Sequence, residues 1–333
     1  MREVRDLIIT GGSGFIGSNF IHYELSKYGN VKITNIDKLT YAGQGDNNCD
    51  IEGDDRYEFI QEDICDFDRM KEVIKKGSVV VNFAAETHVD NSIINPFVFE
   101  ESNVRGVLSL LEASKLNEVA LFVQISTDEV YGSLGFDDAR SLEGDLLRPS
   151  SPYSASKASS EHFCVSYYRT FGLPIIITRS SNNFGPYQFP EKVIPLFATN
   201  FIREKKVPLY GDGKNIRNWI YVEDNCRAID KIVRRGGRIG EVYNIGGENE
   251  ISNIELTKII LRKFNLDDSM IEYVPDRRGH DRRYSIDDGK IRKEINWKPE
   301  YKFDESLDKT IEWYKENEKW WAPLKDKSGK RTN

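Results

Sequence analysis

The stretch Leu-Ile-Ile-Thr-Gly-Gly-Ser-Gly-Phe-Ile-Gly, residues 7–17, decides the fold. Its apolar start predicts a short strand, its glycines predict a tight turn, and the pattern after it predicts a helix through Tyr28. A Cβ in such a turn would block the approach of the backbone to a pyrophosphate, and the helix N-terminus adds unpaired N–H groups. The sequence therefore predicts a dinucleotide site. The fingerprint fits in two registers: Gly12, Gly14 and Gly17, or Gly11, Gly14 and Gly17.

A carboxylate follows the second predicted strand, residues 31–36. Asp37 lies 20 residues after Gly17. A carboxylate at that distance can accept both hydroxyls of an adenosine ribose and would repel a 2′-phosphate. The spacing favours NAD over NADP. The alternative is that Asp37 is an N-cap or turn residue, and Lys38 directly after it adds a positive charge.

Strand and helix patterns alternate along the chain. Further strands are predicted at residues 57–61, 79–85, 121–125, 173–179 and 242–247, with helices between them. This alternation is typical of an α/β fold with right-handed crossovers. We expect a Rossmann-type, doubly wound parallel sheet and a smaller C-terminal α/β domain.

Composition excludes several classes of protein. The chain has 333 residues, a net charge of −7 and 39% hydrophobic residues, as in ordinary soluble domains. It has no basic stripe and no long apolar run, so we expect neither a nucleic-acid partner nor a membrane span. The four cysteines and four histidines are scattered, so we expect free thiols and no metal site. The N-terminus runs directly into a predicted strand, so we expect no signal peptide and a cytoplasmic protein.

Two adjacent carboxylates follow the strand predicted at residues 121–125. Thr127, Asp128 and Glu129 fall at its carboxyl end, which is the edge where open α/β sheets bind ligands. Neighbouring carboxyl groups beside a cofactor can divide the work of an acid and a base. The alternative is a solvated loop, because Asp and Glu are mostly exposed.

Tyr153 and Lys157 are four residues apart in a predicted helix, so they share one face. A free tyrosine has a pKa of about 10, and a base near neutrality needs a pKa about 3 units lower. A nearby ammonium and the positive ring of NAD⁺ could lower it. The alternative is a solvated pair on an exposed helix.

The rest of the chain carries two polar segments. Residues 181–192 are rich in amides and turn residues and predict a polar ligand nearby. Residues 276–284 hold four arginines and a histidine, which could bind a diphosphate, or could be a solvated run paired with nearby acids. We further expect a hairpin-like turn at residues 208–213 and one amphipathic helix over residues 304–321.

These segments resemble the extended short-chain dehydrogenases/reductases and, among them, the dTDP-glucose 4,6-dehydratase family. Thr127-Asp128-Glu129 carries the resemblance to the dehydratases, since the epimerases and simple reductases of the superfamily lack the adjacent acids. The other matching segments are residues 10–18, 41–43, 84–90, 153–157, 181–192 and 277–284.

The resemblance implies a set of binding residues for NAD and for a dTDP-glucose substrate. The cofactor set is Gly11, Gly14, Phe15, Ile16, Gly17, Asp37, Lys38, Leu39, Thr40, Asp63, Ile64, Phe83, Ala84, Ala85, Thr87, Ser102, Tyr153, Lys157 and Asn183. The substrate set is Thr87, His88, Thr127, Asn182, Lys192, Val193, Pro208, Tyr210, Arg217, Asn253, Arg277 and His280.

The resemblance also implies an organisation into domains and subunits. An NAD-binding domain would comprise residues 1–183 plus about 218–247. A sugar-nucleotide domain would comprise about 184–217 plus 248–333. A homodimer would form by pairing helices near residues 103–116 and 153–171.

The catalytic residues implied are Thr127, Asp128, Glu129, Tyr153 and Lys157, which would oxidise C4, eliminate water across C5 and C6, and reduce C6. Three alternatives stay open. They are a nucleotide-sugar 4-epimerase or decarboxylase, a catalytically silent NAD-binding subunit, and a 4,6-dehydratase of a UDP-, CDP- or GDP-sugar.

Overall fold

The computed structural model describes residues 3–276 and 279–328. The strands in these residues are β1 (Asp6–Thr10), β2 (Lys32–Asp37), β3 (Tyr57–Gln61), β4 (Val79–Asn82), β5 (Leu121–Thr127), β6 (Ile175–Ser180), β7 (Asn182–Phe184), β8 (Val207–Tyr210), β9 (Ile216–Tyr221), β10 (Val242–Ile245), β11 (Asn249–Ser252) and β12 (Ile271–Val274). The α-helices are α1 (Phe15–Lys27), α2 (Phe67–Val73), α3 (Val89–Ile94), α4 (Pro96–Glu100), α5 (Gly106–Leu116), α6 (Pro152–Phe171), α7 (Val193–Ile202), α8 (Val222–Arg235), α9 (Asn253–Lys263), α10 (Gly289–Ile295), α11 (Phe303–Glu316) and α12 (Glu318–Ser328).

Seven strands form one parallel sheet in the order β10-β6-β5-β4-β1-β2-β3. The chain order reverses beside β1, whose neighbours are β2 and β4. In a doubly wound sheet the crevice for ligands opens at this switch point, at the carboxyl ends of the strands. The predicted fold class is confirmed.

Both faces of the main sheet are buried at its central strands β1, β4, β5 and β6, which explains why these strands are largely apolar runs, whereas the edge strand β3 is partly exposed. Leu7 and Ile9 of β1 pack with α1 and α8 on one face. Ile8 points to the opposite face and packs with α2, α5 and α6. No helix of the described residues is long and apolar enough to cross a membrane.

A third hydrophobic core, in addition to those on the two faces of the main sheet, holds the two smaller sheets. The strand order β11-β9-β7 forms one of them, and β12 and β8 form the other. Helices α7, α9 and α11 pack on these sheets around Trp219, Tyr314 and Trp321. This core is separate from the two that flank the main sheet, so the C-terminal part of the chain has its own hydrophobic centre.

The connection between β10 and β11 requires a glycine. The Gly247 N–H donates to Asn218 Oδ1 at 3.0 Å, and Asn218 Nδ2 donates back to the Gly247 carbonyl at 2.8 Å. A Cβ on Gly247 would lie 1.7 Å from the carbonyl oxygen of Trp219. Real Cβ atoms do not approach a backbone atom that closely, so a side chain here would force the two segments apart.

Two expectations about local structure are wrong in part. The turn expected within residues 208–213 is present, because the Gly213 N–H donates to the Tyr210 carbonyl at 3.1 Å, but it does not connect the strands of a hairpin. Residues 207–210 form β8, which pairs in parallel with β12. A hairpin would require an antiparallel partner next to it in the chain. The C-terminal helix is interrupted at Asn317, whose backbone and side-chain N–H groups both bond to the Trp313 carbonyl. Asn317 is the C-cap of α11, and α12 begins at the next residue.

Candidate active site

One cavity opens at the carboxyl ends of β1, β2, β4, β5 and β6. It collects most of the residues predicted to bind the cofactor and all five predicted catalytic residues. Those of the predicted set that line it are Gly11, Gly14, Phe15, Ile16, Gly17, Asp37, Lys38, Thr40, Asp63, Ile64, Phe83, Ala84, Ala85, Thr87, Ser102, Thr127, Asp128, Glu129, Tyr153, Lys157, Asn182, Asn183 and Lys192.

The glycine turn between β1 and α1 forms one wall of the cavity. Gly11 has φ +70°, and a Cβ there would lie 2.5 Å from the backbone nitrogen of Ala84. A Cβ on Gly17 would lie 2.4 Å from the Gly11 carbonyl oxygen. A Cβ on Gly12 would meet Asn35 Oδ1 at 2.3 Å. Because Gly11, Gly14 and Gly17 line the cavity and Gly12 packs against Asn35, the structure favours the second of the two registers.

Carboxylates mark the end of the cavity where the adenosine would lie. Asp37 is buried, and its two oxygens accept the backbone N–H groups of Ser13 at 2.9 Å and Leu39 at 2.8 Å. Burial raises the pKa of Asp37, and these two hydrogen bonds oppose that shift. The charge of Lys38 is balanced by Asp63, 2.5 Å away. A 2′-phosphate would therefore meet a carboxylate without a free cation, as NAD selectivity requires.

Five buried polar atoms of cavity-lining residues have no hydrogen-bond partner among the described residues. They are Ser126 Oγ, Asp128 Oδ2, Asn182 Oδ1, Asn183 Oδ1 and Gln188 Oε1. Each unsatisfied buried group costs on the order of 1–3 kcal/mol. A polar ligand would supply the missing partners, so the residues present fit a dinucleotide and a sugar.

The acid stretch, residues 127–131 with the adjacent carboxyl groups of Asp128 and Glu129, begins where β5 ends. Thr127 Oγ1 accepts the Glu129 N–H at 3.2 Å and lies 3.3 Å from Asp128 Oδ1, so a short 3₁₀ turn holds the three side chains together. Asp128 is 4% exposed. Its burial, and next the charge of Glu129, raise the pKa of Asp128 to about 8, although Arg217 opposes this. Near neutrality Asp128 is therefore a proton donor beside a neighbouring carboxylate, and this separates an acid from a base.

Helix α6 brings Tyr153 and Lys157 to the same edge. Lys157 Nζ donates to the Ile125 carbonyl at 2.6 Å, and burial lowers the pKa of Lys157 to about 8. Burial, with the charges of Glu129 and Asp128, raises the pKa of Tyr153 above its ordinary value. The expected lowering of this pKa by Lys157 is absent because the ammonium points at the Ile125 carbonyl. A tyrosine base therefore needs positive charge from beyond these side chains, and oxidised NAD carries it on its nicotinamide ring.

The predicted substrate residues divide into two groups. Thr87, Thr127, Asn182 and Lys192 line the cavity, and Lys192 Nζ donates to the Thr87 carbonyl at 3.3 Å. Arg277 lies outside the described residues. The remaining residues, together with Leu39 of the cofactor set, are not part of the cavity lining: His88, Val193, Pro208, Tyr210, Arg217, Asn253 and His280.

His88 and Arg217 do not line the cavity but lie near residues that do. His88 Nε2 lies 3.7 Å from a carboxylate oxygen of the cavity residue Glu191. The Arg217 guanidinium stacks over the Tyr284 ring at 4.4 Å and acts electrostatically on Asp128. The Tyr210 and His280 rings meet edge to face at 6.3 Å.

Two arginines of the basic segment, residues 276–284, form ion pairs with acidic residues of the same chain. Arg282 pairs with Asp212 at 2.8 Å, and the buried Arg283 pairs with Glu250 at 2.7 Å. For these two side chains the structure favours the alternative of a run paired with nearby acids, while Arg277 and Arg278 lie outside the described residues.

Sequence reasoning missed other residues of the cavity. Glu191 is the most notable, because its carboxylate accepts from Tyr41 at 3.0 Å and lies 3.9 Å from Lys192. It falls in the polar segment 181–192, which was the only available signal. The missed lining residues are Ile36, Ala42, Gly43, Glu62, Glu86, Ile125, Ser126, Ser180, Ser181, Gln188, Phe189 and Glu191.

A family model described as GDP-mannose 4,6 dehydratase matches residues 8–310. The chain belongs to this family. It is 46% identical over 325 residues to a dTDP-glucose 4,6-dehydratase of Streptomyces antibioticus. The aligned residues cover 96% of this chain and 95% of that protein.

Solved structures agree with this assignment. The crystal structure of DesIV, a dTDP-glucose 4,6-dehydratase from Streptomyces venezuelae with NAD bound, superposes with a TM-score of 0.93 at 45% identity, over 96% of this chain and 99% of that one. A UDP-glucose 4-epimerase from Thermotoga maritima superposes with a TM-score of 0.85 at 27% identity, over 93% of this chain and 99% of that one. The dehydratase and the epimerase share the scaffold, so the acid pair must be judged on its own chemistry.

The raised pKa of Asp128 predicts a pH dependence of stability. Between about pH 4, the ordinary pKa of Asp, and about pH 8, the folded chain binds more protons at this carboxyl than the unfolded chain. The free energy of unfolding therefore loses a contribution from Asp128 as the pH rises through that window. We expect Asp128→Asn to remove this decline, as measured by urea unfolding at pH 5 and pH 8.

Asp137→Asn, at an exposed loop position, is the matched control and should keep the wild-type decline. Identical pH slopes for wild type and Asp128→Asn would contradict the protonated state assigned to Asp128.

Proposed function

We propose that this chain converts dTDP-D-glucose to dTDP-4-keto-6-deoxy-D-glucose and water, using NAD that is regenerated in each turnover. The observation that carries the proposal is the buried carboxyl group of Asp128 beside Glu129, in the same cavity as Tyr153 and Lys157. Hydride transfer alone does not use two carboxyl groups, whereas elimination of water uses both. The names of the similar proteins support the same reaction.

Each catalytic side chain has a task in the proposed reaction. The Tyr153 oxygen takes the proton of the sugar 4-hydroxyl, and Thr127 hydrogen-bonds the same sugar oxygen. Bound NAD would supply the hydride acceptor for C4 and, once reduced, the hydride donor for C6. The C4 ketone acidifies the proton on C5, which Glu129 removes and gives back to C5 when the hydride reaches C6. Asp128 gives its proton to the C6 hydroxyl, which leaves as water.

Lys157 has a supporting task. Its hydrogen bond to the Ile125 carbonyl fixes the ammonium one helical turn from Tyr153, at the end of the strand that leads into the acid stretch. From there it can hydrogen-bond a ribose hydroxyl and hold the cofactor beside Tyr153. We propose the cofactor and substrate sets given above as the residues that bind NAD and the sugar nucleotide.

The two parts of the chain would divide this work. We propose an NAD-binding domain of residues 1–183 plus about 218–247, and a sugar-nucleotide domain of about 184–217 plus 248–333. The main sheet and its flanking cores support the first, and the separate core around Tyr314 and Trp321 supports the second. The carboxylates of Asp128 and Glu129 would act where the domains meet.

We propose that the chain forms a homodimer in the cytoplasm. Helices α5 and α6 pack side by side on one face of the sheet, and the apolar residues at their ends, Leu116 and Phe171, are 51% and 53% exposed. Pairing these helices between two subunits would cover such side chains. Light scattering should give a mass near twice the 38.3 kDa of the chain. A mass of one chain at micromolar concentration would contradict the dimer.

A second candidate is the same reaction on another nucleotide sugar. The matching family model is described as GDP-mannose 4,6 dehydratase, and this description supports a substrate that carries a different nucleotide. The carboxylates and the Tyr153–Lys157 pair would act identically, because they address the sugar and not the base.

A panel of dTDP-, UDP-, CDP- and GDP-linked hexoses tests the proposal. We expect dTDP-glucose to give a product lighter by one water, with the alkaline absorbance of a 4-keto-6-deoxy sugar. Preference for a different nucleotide would establish the second candidate. A product of unchanged mass, inverted at C4, would show an epimerase and overturn both.

Two variants separate the redox step from the elimination. Glu129→Gln should block loss of water while still forming NADH slowly, because the base for C5 is missing and Tyr153 is intact. Tyr153→Phe should lose NADH formation itself, because the proton of the 4-hydroxyl has no acceptor. NADH absorbance after rapid mixing and mass analysis of the sugar measure the two steps. Full turnover by Glu129→Gln would refute its role, and undiminished NADH formation by Tyr153→Phe would refute the other.

A further inference from the structure

The outer side of the glycine turn, residues 11–17, is held by a short 3₁₀ segment, residues 45–51. Gln44 N–H and Asn47 Nδ2 both donate to the Ser13 carbonyl, each at 2.9 Å. Asn48 Nδ2 donates to the Gly12 carbonyl at 2.9 Å. The carbonyl oxygens of the turn are thus fixed from behind, and the inner wall of the turn keeps its shape toward the cavity. We name residues 44–51 the bracing segment.

The two asparagines of the bracing segment are buried, at 1% and 2% exposure, and neither lines the cavity. Their contact with the ligand site is therefore indirect, through the backbone of the turn. A side-chain amide is suited to this position because it can donate to a carbonyl with its nitrogen and accept a second bond with its oxygen.

The second bond of Asn47 comes from the C-terminal part of the chain. Trp320 of α12 donates its Nε1 proton to Asn47 Oδ1 at 2.9 Å. Its indole is held in an aromatic cluster, 5.1 Å from the Trp313 ring and 6.0 Å from the Tyr187 ring. A continuous path of contacts therefore runs from α12 through Asn47 to the Ser13 carbonyl.

We propose that Trp320 is a positioning residue for the cofactor: through Asn47 it holds the glycine turn in the shape that binds the pyrophosphate of NAD. The inference rests on the proposed use of NAD. In that reaction the same NAD molecule must remain bound between the first hydride transfer and the second. A rigid turn serves this need, because a turn already in its bound shape loses less conformational freedom when the dinucleotide binds.

The test compares NAD binding to four proteins: wild type, Trp320→Phe, Asn47→Ala and the double variant. Trp320→Phe keeps an aromatic ring and removes only the N–H donor. We expect it to weaken NAD binding about 3- to 10-fold, the size of one lost hydrogen bond, as measured by isothermal titration calorimetry. In the Asn47→Ala background the link is already cut, so Trp320→Phe should weaken binding no further.

Trp313→Phe is the matched control, because it lies in the same cluster but donates no hydrogen bond to Asn47. It should bind NAD as wild type does. Saturating NAD should restore the turnover of Trp320→Phe, and thermal unfolding of the cofactor-free proteins should separate a change in affinity from a change in folding.

Unchanged NAD affinity in Trp320→Phe, or equal added losses in the double variant, would overturn the inference. So would a lowered melting temperature without a lowered affinity, since that would make Trp320 a purely structural residue. Failure of the wild type itself to bind NAD would instead overturn the proposed function.

Discussion

A buried ion pair fixes the helix that carries two of the catalytic side chains. Glu161 of α6 and Arg179 of β6 are 2% and 6% exposed, and the guanidinium reaches the carboxylate through Nη2 at 2.6 Å and through Nε. Removing one partner of such a pair leaves an uncompensated buried charge and costs about 3–5 kcal/mol. The register of α6 on the sheet is therefore strongly set. Lys157 and Tyr153 lie on the same side of the helix, one and two turns before Glu161, so the same register sets their positions.

The same arginine also holds the acid stretch. Arg179 Nη1 donates to the Tyr131 hydroxyl at 2.7 Å, and that hydroxyl donates to Asn244 Oδ1 of β10 at 2.8 Å. The turn carrying Asp128 and Glu129 is thus anchored at Thr127 by the sheet and at Tyr131 by this network. Because both ends are fixed, Asp128 cannot swing into solvent to recover its hydration. Burial at this fixed position raises the pKa of its carboxyl group.

The features of this molecule that depend on local sequence were predictable. The strands of the main sheet, the glycine turn and the i, i+4 pair of Tyr153 and Lys157 follow from periodicity and from glycine's lack of a Cβ. The pairing of β8 with β12 was not predictable, because the partner strand lies far along the chain. The partners of Arg282 and Arg283 depend equally on tertiary packing. The upward shift in the pKa of Tyr153 was missed because spacing along a helix does not reveal burial.

The two carboxyl groups acquire different chemistry from one difference in surroundings. Asp128 and Glu129 are adjacent in sequence and begin with nearly equal affinities for protons. The fold removes Asp128 from water and leaves it beside a second carboxyl group, and both effects raise the pKa of Asp128, which suits it to the role of proton donor in the pair. An NAD-binding sheet with Tyr153 and Lys157 is sufficient for hydride transfer. Elimination of water needs a donor and an acceptor at the same pH, and the burial of one side chain at the end of β5 supplies both.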